Sequence, residues 1–106
     1  MKLVTAIIQP FMLDRLGRAL RQSAVTGYTV TETRGFSREA PEDSEYLGAR
    51  IKIEIVTTDD EVDQLIELIT STVGRHQTGD GVILVTDVAQ FVHIASWKAD
   101  SEASIT

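Results

Sequence analysis

Apolar and polar positions along the chain alternate between two periods, one close to two residues and one close to three and a half. Residues 3–8, LVTAII, are a short apolar run closed by Pro10, the pattern of a buried strand. Met12, Leu13, Leu16, Ala19 and Leu20 then recur at three- and four-residue steps, with Asp14, Arg15, Arg18 and Arg21 between them, which predicts an amphipathic helix. After Gly27, residues 28–34, YTVTETR, alternate β-branched and polar side chains as a half-buried strand does. Residues 37–48 are acidic, carry a Pro and show no period, so an exposed, mobile loop is expected.

Residues 50–56, RIKIEIV, give the clearest strand: Ile51, Ile53 and Ile55 share one face, and Arg50, Lys52 and Glu54 the other. Residues 58–61, TDDE, fit a capping box in which the Thr58 hydroxyl accepts from the amide of Glu61 and Glu61 reaches back. The helix it opens sets Val62, Leu65, Ile66, Ile69 and Val73 on one stripe, and Gly74 can stop it. A glycine turn at 78–81, TGDG, then leads into an apolar strand at 82–88, which Phe91, Val92 and Ile94 extend. The polar tail, from about residue 96 and most plainly over 98–106, is expected to fray.

The resulting order is strand, helix, strand, strand, helix, strand in a single domain spanning 1–106. A four-stranded antiparallel sheet with both helices on one face satisfies it, so the expected class is α+β with a ferredoxin-like βαββαβ topology. Such a sheet leaves one face bare. Val30, Phe36 and Ile51, or the neighbours of Ile51 on the opposite face, then meet water or another subunit, and self-assembly through the open face is the simplest remedy.

Composition narrows the chemistry. The chain has no cysteine, which removes disulfides, thiolate metal sites and cysteine nucleophiles. Ten Lys and Arg face sixteen Asp and Glu, and the net charge of -6 has the wrong sign for a general nucleic-acid binder. One Trp, two Tyr and three Phe leave few stacking platforms for single strands. No apolar run reaches the ~20 residues of a membrane span, and the N-terminus lacks the zones of a secretion signal, so a cytoplasmic protein is expected. No phosphate-loop, dinucleotide-binding, zinc-protease or serine-hydrolase motif occurs, and His76 and His93 lack ligand spacing. No catalytic residue and no metal ligand is therefore assigned; a small molecule, a protein or another copy of the chain remains as partner.

The turn at 78–81 is the one local motif suited to an anion, because adjacent glycines let backbone amides converge. Together with residues 2–14, KLVTAIIQPFMLD, residues 27–36, GYTVTETRGF, and the strand 52–56 followed by Asp59 and Asp60, it resembles the PII signal-transduction proteins. The resemblance covers residues 2 to about 94 in the same order. It implies a homotrimer with an adenine nucleotide in each cleft between neighbouring subunits, and signalling through a long loop, the T-loop, to a target enzyme or transporter. The segment 37–48 occupies the T-loop position. Thr29, Gly35, Phe36, Ser37, Arg38, Glu54, Val56, Gly79, Asp80 and Gly81 match positions lining the family's nucleotide site, with Arg38 the principal remaining phosphate cation.

Departures from the family pattern modify this expectation. Val82 stands where the family has a lysine after the glycine turn, and His93 and Ala95 where it has two arginines. Each charge-assisted hydrogen bond to a phosphate is worth about 1.5–3 kcal/mol. Their loss predicts a site preferring AMP or ADP over ATP. The loop is shorter than the family's, and Leu47 replaces the arginine after Tyr46, which argues against uridylylation of that tyrosine. Glu39 and Arg50 stand where family members hold 2-oxoglutarate with a glutamine and a lysine. A second carboxylate beside a dicarboxylate is repulsive. Arg50 could instead hold a small anion such as bicarbonate, as in short-loop relatives linked to inorganic carbon. A structural trimer that has lost nucleotide binding, and a nitrogen-regulating protein binding ATP and 2-oxoglutarate, remain as alternatives. A metal-binding trimer of similar fold is disfavoured by the missing cysteines, and an enzyme by the absence of any paired nucleophile and base.

Overall fold

The strict alternation at 50–56 is realised as one of the two inner strands of a four-stranded sheet. The computed structural model describes residues 1–38 and 47–97. Along the chain these form β1 (Lys2–Ile8), a 3-10 turn (Pro10–Met12), α1 (Leu13–Arg21), β2 (Thr29–Gly35), β3 (Gly48–Thr57), a second 3-10 turn (Asp59–Glu61), α2 (Val62–Val73), β4 (Gly81–Asp87) and a third 3-10 turn (Ile94–Ser96). The strands make one four-stranded sheet in the order β2-β3-β1-β4, antiparallel throughout. This is the expected ferredoxin-like arrangement. The expectations for most of the 37–48 loop, with Glu39 and Tyr46, and for the tail at 98–106 fall outside the described residues.

Register decides which side chains share a layer. Val4, Ala6 and Ile8 of β1 pair with Ile55, Ile53 and Ile51 of β3, and all six are buried. Leu16 and Leu20 from α1 and Leu65, Ile69 and Val73 from α2 close over them as one core. Burial of each large side chain contributes about 1.5–3 kcal/mol. The opposite face carries Leu3, Thr5 and Ile7, paired with Val56, Glu54 and Lys52 on one side and with Thr86, Leu84 and Val82 on the other.

The bare face carries the neighbours of Ile51, Arg50 and Lys52, and not Ile51 itself. Ile51 is only 6% exposed and belongs to the helix-covered layer, whereas Val30, on the same side through its register partner Ile53, sits on the edge strand and is 39% exposed, so it does meet solvent as expected. Parity fixes this: Val30 and Ile51 share the side of Ile53, which lies beneath the helices. Phe36 is half exposed.

Two further local expectations give way. No capping box forms at Thr58, which makes no side-chain cap. The Glu61 amide donates instead to the Thr58 backbone carbonyl, at 3.1 Å. Thr57 Oγ1 donates to the Glu61 carboxylate, at 3.3 Å, and the Asp59 carboxylate receives the N-terminal ammonium, at 2.9 Å. The tighter 3-10 turn thus satisfies the helix start with a main-chain bond. Phe91, Val92 and Ile94 do not extend β4. The partner strand β1 begins at Lys2, opposite Asp87, so beyond the Val88 amide bonded to the Met1 carbonyl the chain has no ladder to join. It turns away, with the rings of Phe91 and His93 in edge contact at 4.9 Å. Among the described residues no helix is long and apolar enough to cross a membrane.

Candidate functional site

A pocket of about 320 Å³ opens where the end of β1, the end of β2 and the starts of β3 and β4 meet. Its walls are Ile7, Phe36 and Val82, with Gly35, Ser37, Arg50, Gly79 and Gly81 supplying polar and backbone groups. The volume lies within the range of small-molecule sites, and an apolar wall with few polar groups is their usual makeup. Six sequence-predicted positions come together here: Gly35, Phe36, Ser37, Gly79, Gly81 and the candidate anion residue Arg50.

The glycine turn enters this pocket because of close packing behind it. Gly81 has φ 131°, and a Cβ there would drive into the carbonyl oxygen of Ile7. Only glycine lets β4 start against β1 at this point. Asp80 is held back by the preceding loop. Its Oδ2 accepts from the Arg75 amide at 2.7 Å and the Gln77 amide at 3.2 Å, while Oδ1 accepts from Arg75 Nε at 3.0 Å. These donors, the Arg75 amide foremost and then that of Gln77, hold the Asp80 carboxyl below the usual carboxylate range. Asp80 does not line the pocket; its neighbours on either side do. The Arg75 guanidinium also lies 5.0 Å over the Phe11 ring.

The remaining predicted residues do not line this pocket. The Arg38 guanidinium sits 5.5 Å from the centre of the Phe36 ring, beside the pocket wall. Thr29 and Glu54 are register partners on the open face, and Val56 follows them on the same face opposite Leu3. Glu54 is four positions along β3 from Arg50, a separation of about 13 Å at ~3.3 Å per residue. One protomer thus presents two separate groups on one face. Among the described residues no cluster of His, Asp or Glu capable of holding a metal ion is found.

Two positions escaped the sequence assignment. Ile7 lay hidden in the apolar run of β1; its parity opposite to Val4, Ala6 and Ile8 was the available signal. Gln9 donates through Nε2 to the Gly79 carbonyl at 2.9 Å, a contact between residues 70 positions apart with no local sequence signature.

The family model of nitrogen regulatory protein P-II matches residues 1–98. The nitrogen regulatory protein P-II of Klebsiella oxytoca is 41% identical over 111 aligned residues, which cover 97% of this chain and 99% of that protein. The protein of the same name from Pasteurella multocida (strain Pm70) is 40% identical with the same coverage. Nitrogen regulatory protein P-II 1 of Escherichia coli (strain K12) is likewise 40% identical over 97% of this chain and 99% of its own length.

Proposed function

Because the chain belongs to the P-II family of nitrogen regulatory proteins, we propose that it is a non-catalytic cytoplasmic regulator that works as a homotrimer. On this reading an adenine nucleotide, AMP or ADP in preference to ATP, binds in clefts between neighbouring protomers. Its occupancy is passed through the 37–48 loop to a partner enzyme or transporter. Such coupling needs only that the ligand favour one loop state by a few kcal/mol.

The observation that carries this reading is the division of the predicted site. The pocket gathers Ser37, Arg50 and the backbone of Gly79 and Gly81, suited to an anion, whereas Glu54 with its partner Thr29 lies about 13 Å, and Val56 about 20 Å, along the strand from Arg50. A neighbouring open face laid against the pocket supplies the β-branched and polar edges for the base, so that two copies complete one site. The exposed Leu84 and Val82 on that face favour such assembly.

The preference for a short phosphate chain follows from the pocket wall. Val82 lines the pocket with an aliphatic side chain and so offers further phosphates no cation, which supports a reading with Arg38 and Arg50 as the guanidiniums at hand. Arg50, which lines the same pocket and donates through one guanidinium nitrogen to the Ala49 carbonyl, is the residue that would hold bicarbonate on this reading.

A second reading is favoured by the names of the relatives, all nitrogen regulatory proteins at about 40% identity. In that case ATP with 2-oxoglutarate is the effector pair. Calorimetric titration with AMP, ADP, ATP, cyclic AMP, bicarbonate and 2-oxoglutarate separates the two. AMP or ADP binding tighter than ATP, with no response to 2-oxoglutarate, is expected; ATP binding tighter than ADP rejects the first reading. No uptake of any nucleotide, with the trimer intact by sedimentation, marks a purely structural assembly.

A further inference from the structure

The connection between β1 and α1 grips the glycine turn at two points. Gln9 Nε2 donates to the Gly79 carbonyl, and the Phe11 ring lies under the Arg75 guanidinium that itself donates to Asp80. The peptide joining Gly79 to Asp80 is fixed at both ends, since the Asp80 amide also donates to the Gln77 carbonyl at 3.3 Å. A peptide unit is planar, so fixing its carbonyl and its amide fixes its whole orientation.

That orientation matters because rotation of the unit turns ψ of Gly79, which the missing Cβ leaves free, together with φ of Asp80, and aspartate is among the few residue types that tolerate positive φ. Rotated, it would aim a carbonyl oxygen, the negative end of the peptide dipole, toward the pocket that Gly79 and Gly81 line. Gln9 is half-buried and does not line the pocket, so the oxygen it holds is directed to a group outside it.

We propose that Gln9 is a positioning residue: by holding the Gly79 carbonyl it keeps that oxygen out of the pocket and the turn in its anion-accepting form. The proposal rests on the reading that this pocket receives the phosphate of an adenine nucleotide.

The test uses the full chain with Gln9→Met, similar in length but unable to donate, and Gln9→Lys, which restores a donor. Amide hydrogen exchange, measured without ligand, reports the turn directly. Gln9→Met should speed exchange of the Asp80 amide about tenfold while α2 exchange is unchanged, and Gln9→Lys should reverse this. By calorimetry Gln9→Met should weaken AMP about tenfold and leave adenosine, which lacks the phosphate, unchanged. Unaltered Asp80 exchange in Gln9→Met, or equal weakening of AMP and adenosine, overturns the proposal. A parent protein that takes up no AMP defeats the nucleotide reading instead, and the exchange data then decide alone whether Gln9 holds the turn.

Discussion

Arg75 donates twice to Asp80, through its main-chain amide at 2.7 Å and its guanidinium Nε at 3.0 Å, and so closes the loop that delivers the glycine turn. The carboxylate form of Asp80 makes these bonds, and its folded pKa lies below the ordinary value. Their stabilisation is accordingly complete above the unfolded carboxylate value of about 4 and is lost as pH falls through the lower folded value. Exchange of the Arg75 and Gln77 amides, relative to intrinsic rates, should accelerate only as pH falls below about 4. Asp80→Asn should exchange fast at neutral pH and show no such acid step.

Gly81→Ala should be among the most damaging single changes. The methyl group meets the Ile7 carbonyl at a backbone geometry with positive φ, so a loss of more than about 2 kcal/mol in denaturant unfolding is expected. Gly27→Ala meets nothing within 4 Å and should shift stability by no more than ~0.5 kcal/mol. Similar losses at both positions would mean that β4 does not approach β1 as described.

Ile53 is fully buried at the centre of the sheet, between Val30 of β2 and Ala6 of β1. Ile53→Ala should cost about 2–5 kcal/mol and Ile53→Val about 0.5–1.5 kcal/mol in chemical denaturation.

Val82→Lys places an ammonium group at the pocket wall. A charge-assisted bond of about 1.5–3 kcal/mol corresponds to roughly a tenfold to hundredfold gain in ATP affinity. ADP should gain less. Calorimetry on the parent and variant reads the ratio directly, and an unchanged ratio would place the outer phosphates away from Val82.

Most of the secondary structure was legible because each element carries its own period. The alternation of Ile51, Ile53 and Ile55 and the stripe of Leu65, Ile69 and Val73 needed no tertiary information. Alternation says which residues share a face, however, and not which face the helices cover, and this is why the choice between Ile51 and its opposite-face neighbours Arg50 and Lys52 stayed open until the structure placed Ile51 in the core. The proposed continuation of β4 through Phe91 failed for a related reason: a strand lasts only as long as its partner, and β1 begins at Lys2. At the site, the glycine turn was visible as a motif. Ile7 and Gln9 were not, because the first looks like core and the second acts on a residue 70 positions away.

The strand order also sets a schedule for biosynthesis. With β1 seated between β3 and β4, its outer edge stays unpaired until residues 81–87 have left the ribosome. An emerging polypeptide can bury much of its interior against α1 and α2 beforehand, yet the crevice beside Ile7 acquires its last wall only with Val82. Until then the chain is partly compact but has a raw edge open to mispairing, and the arrival of β4 removes both deficiencies together.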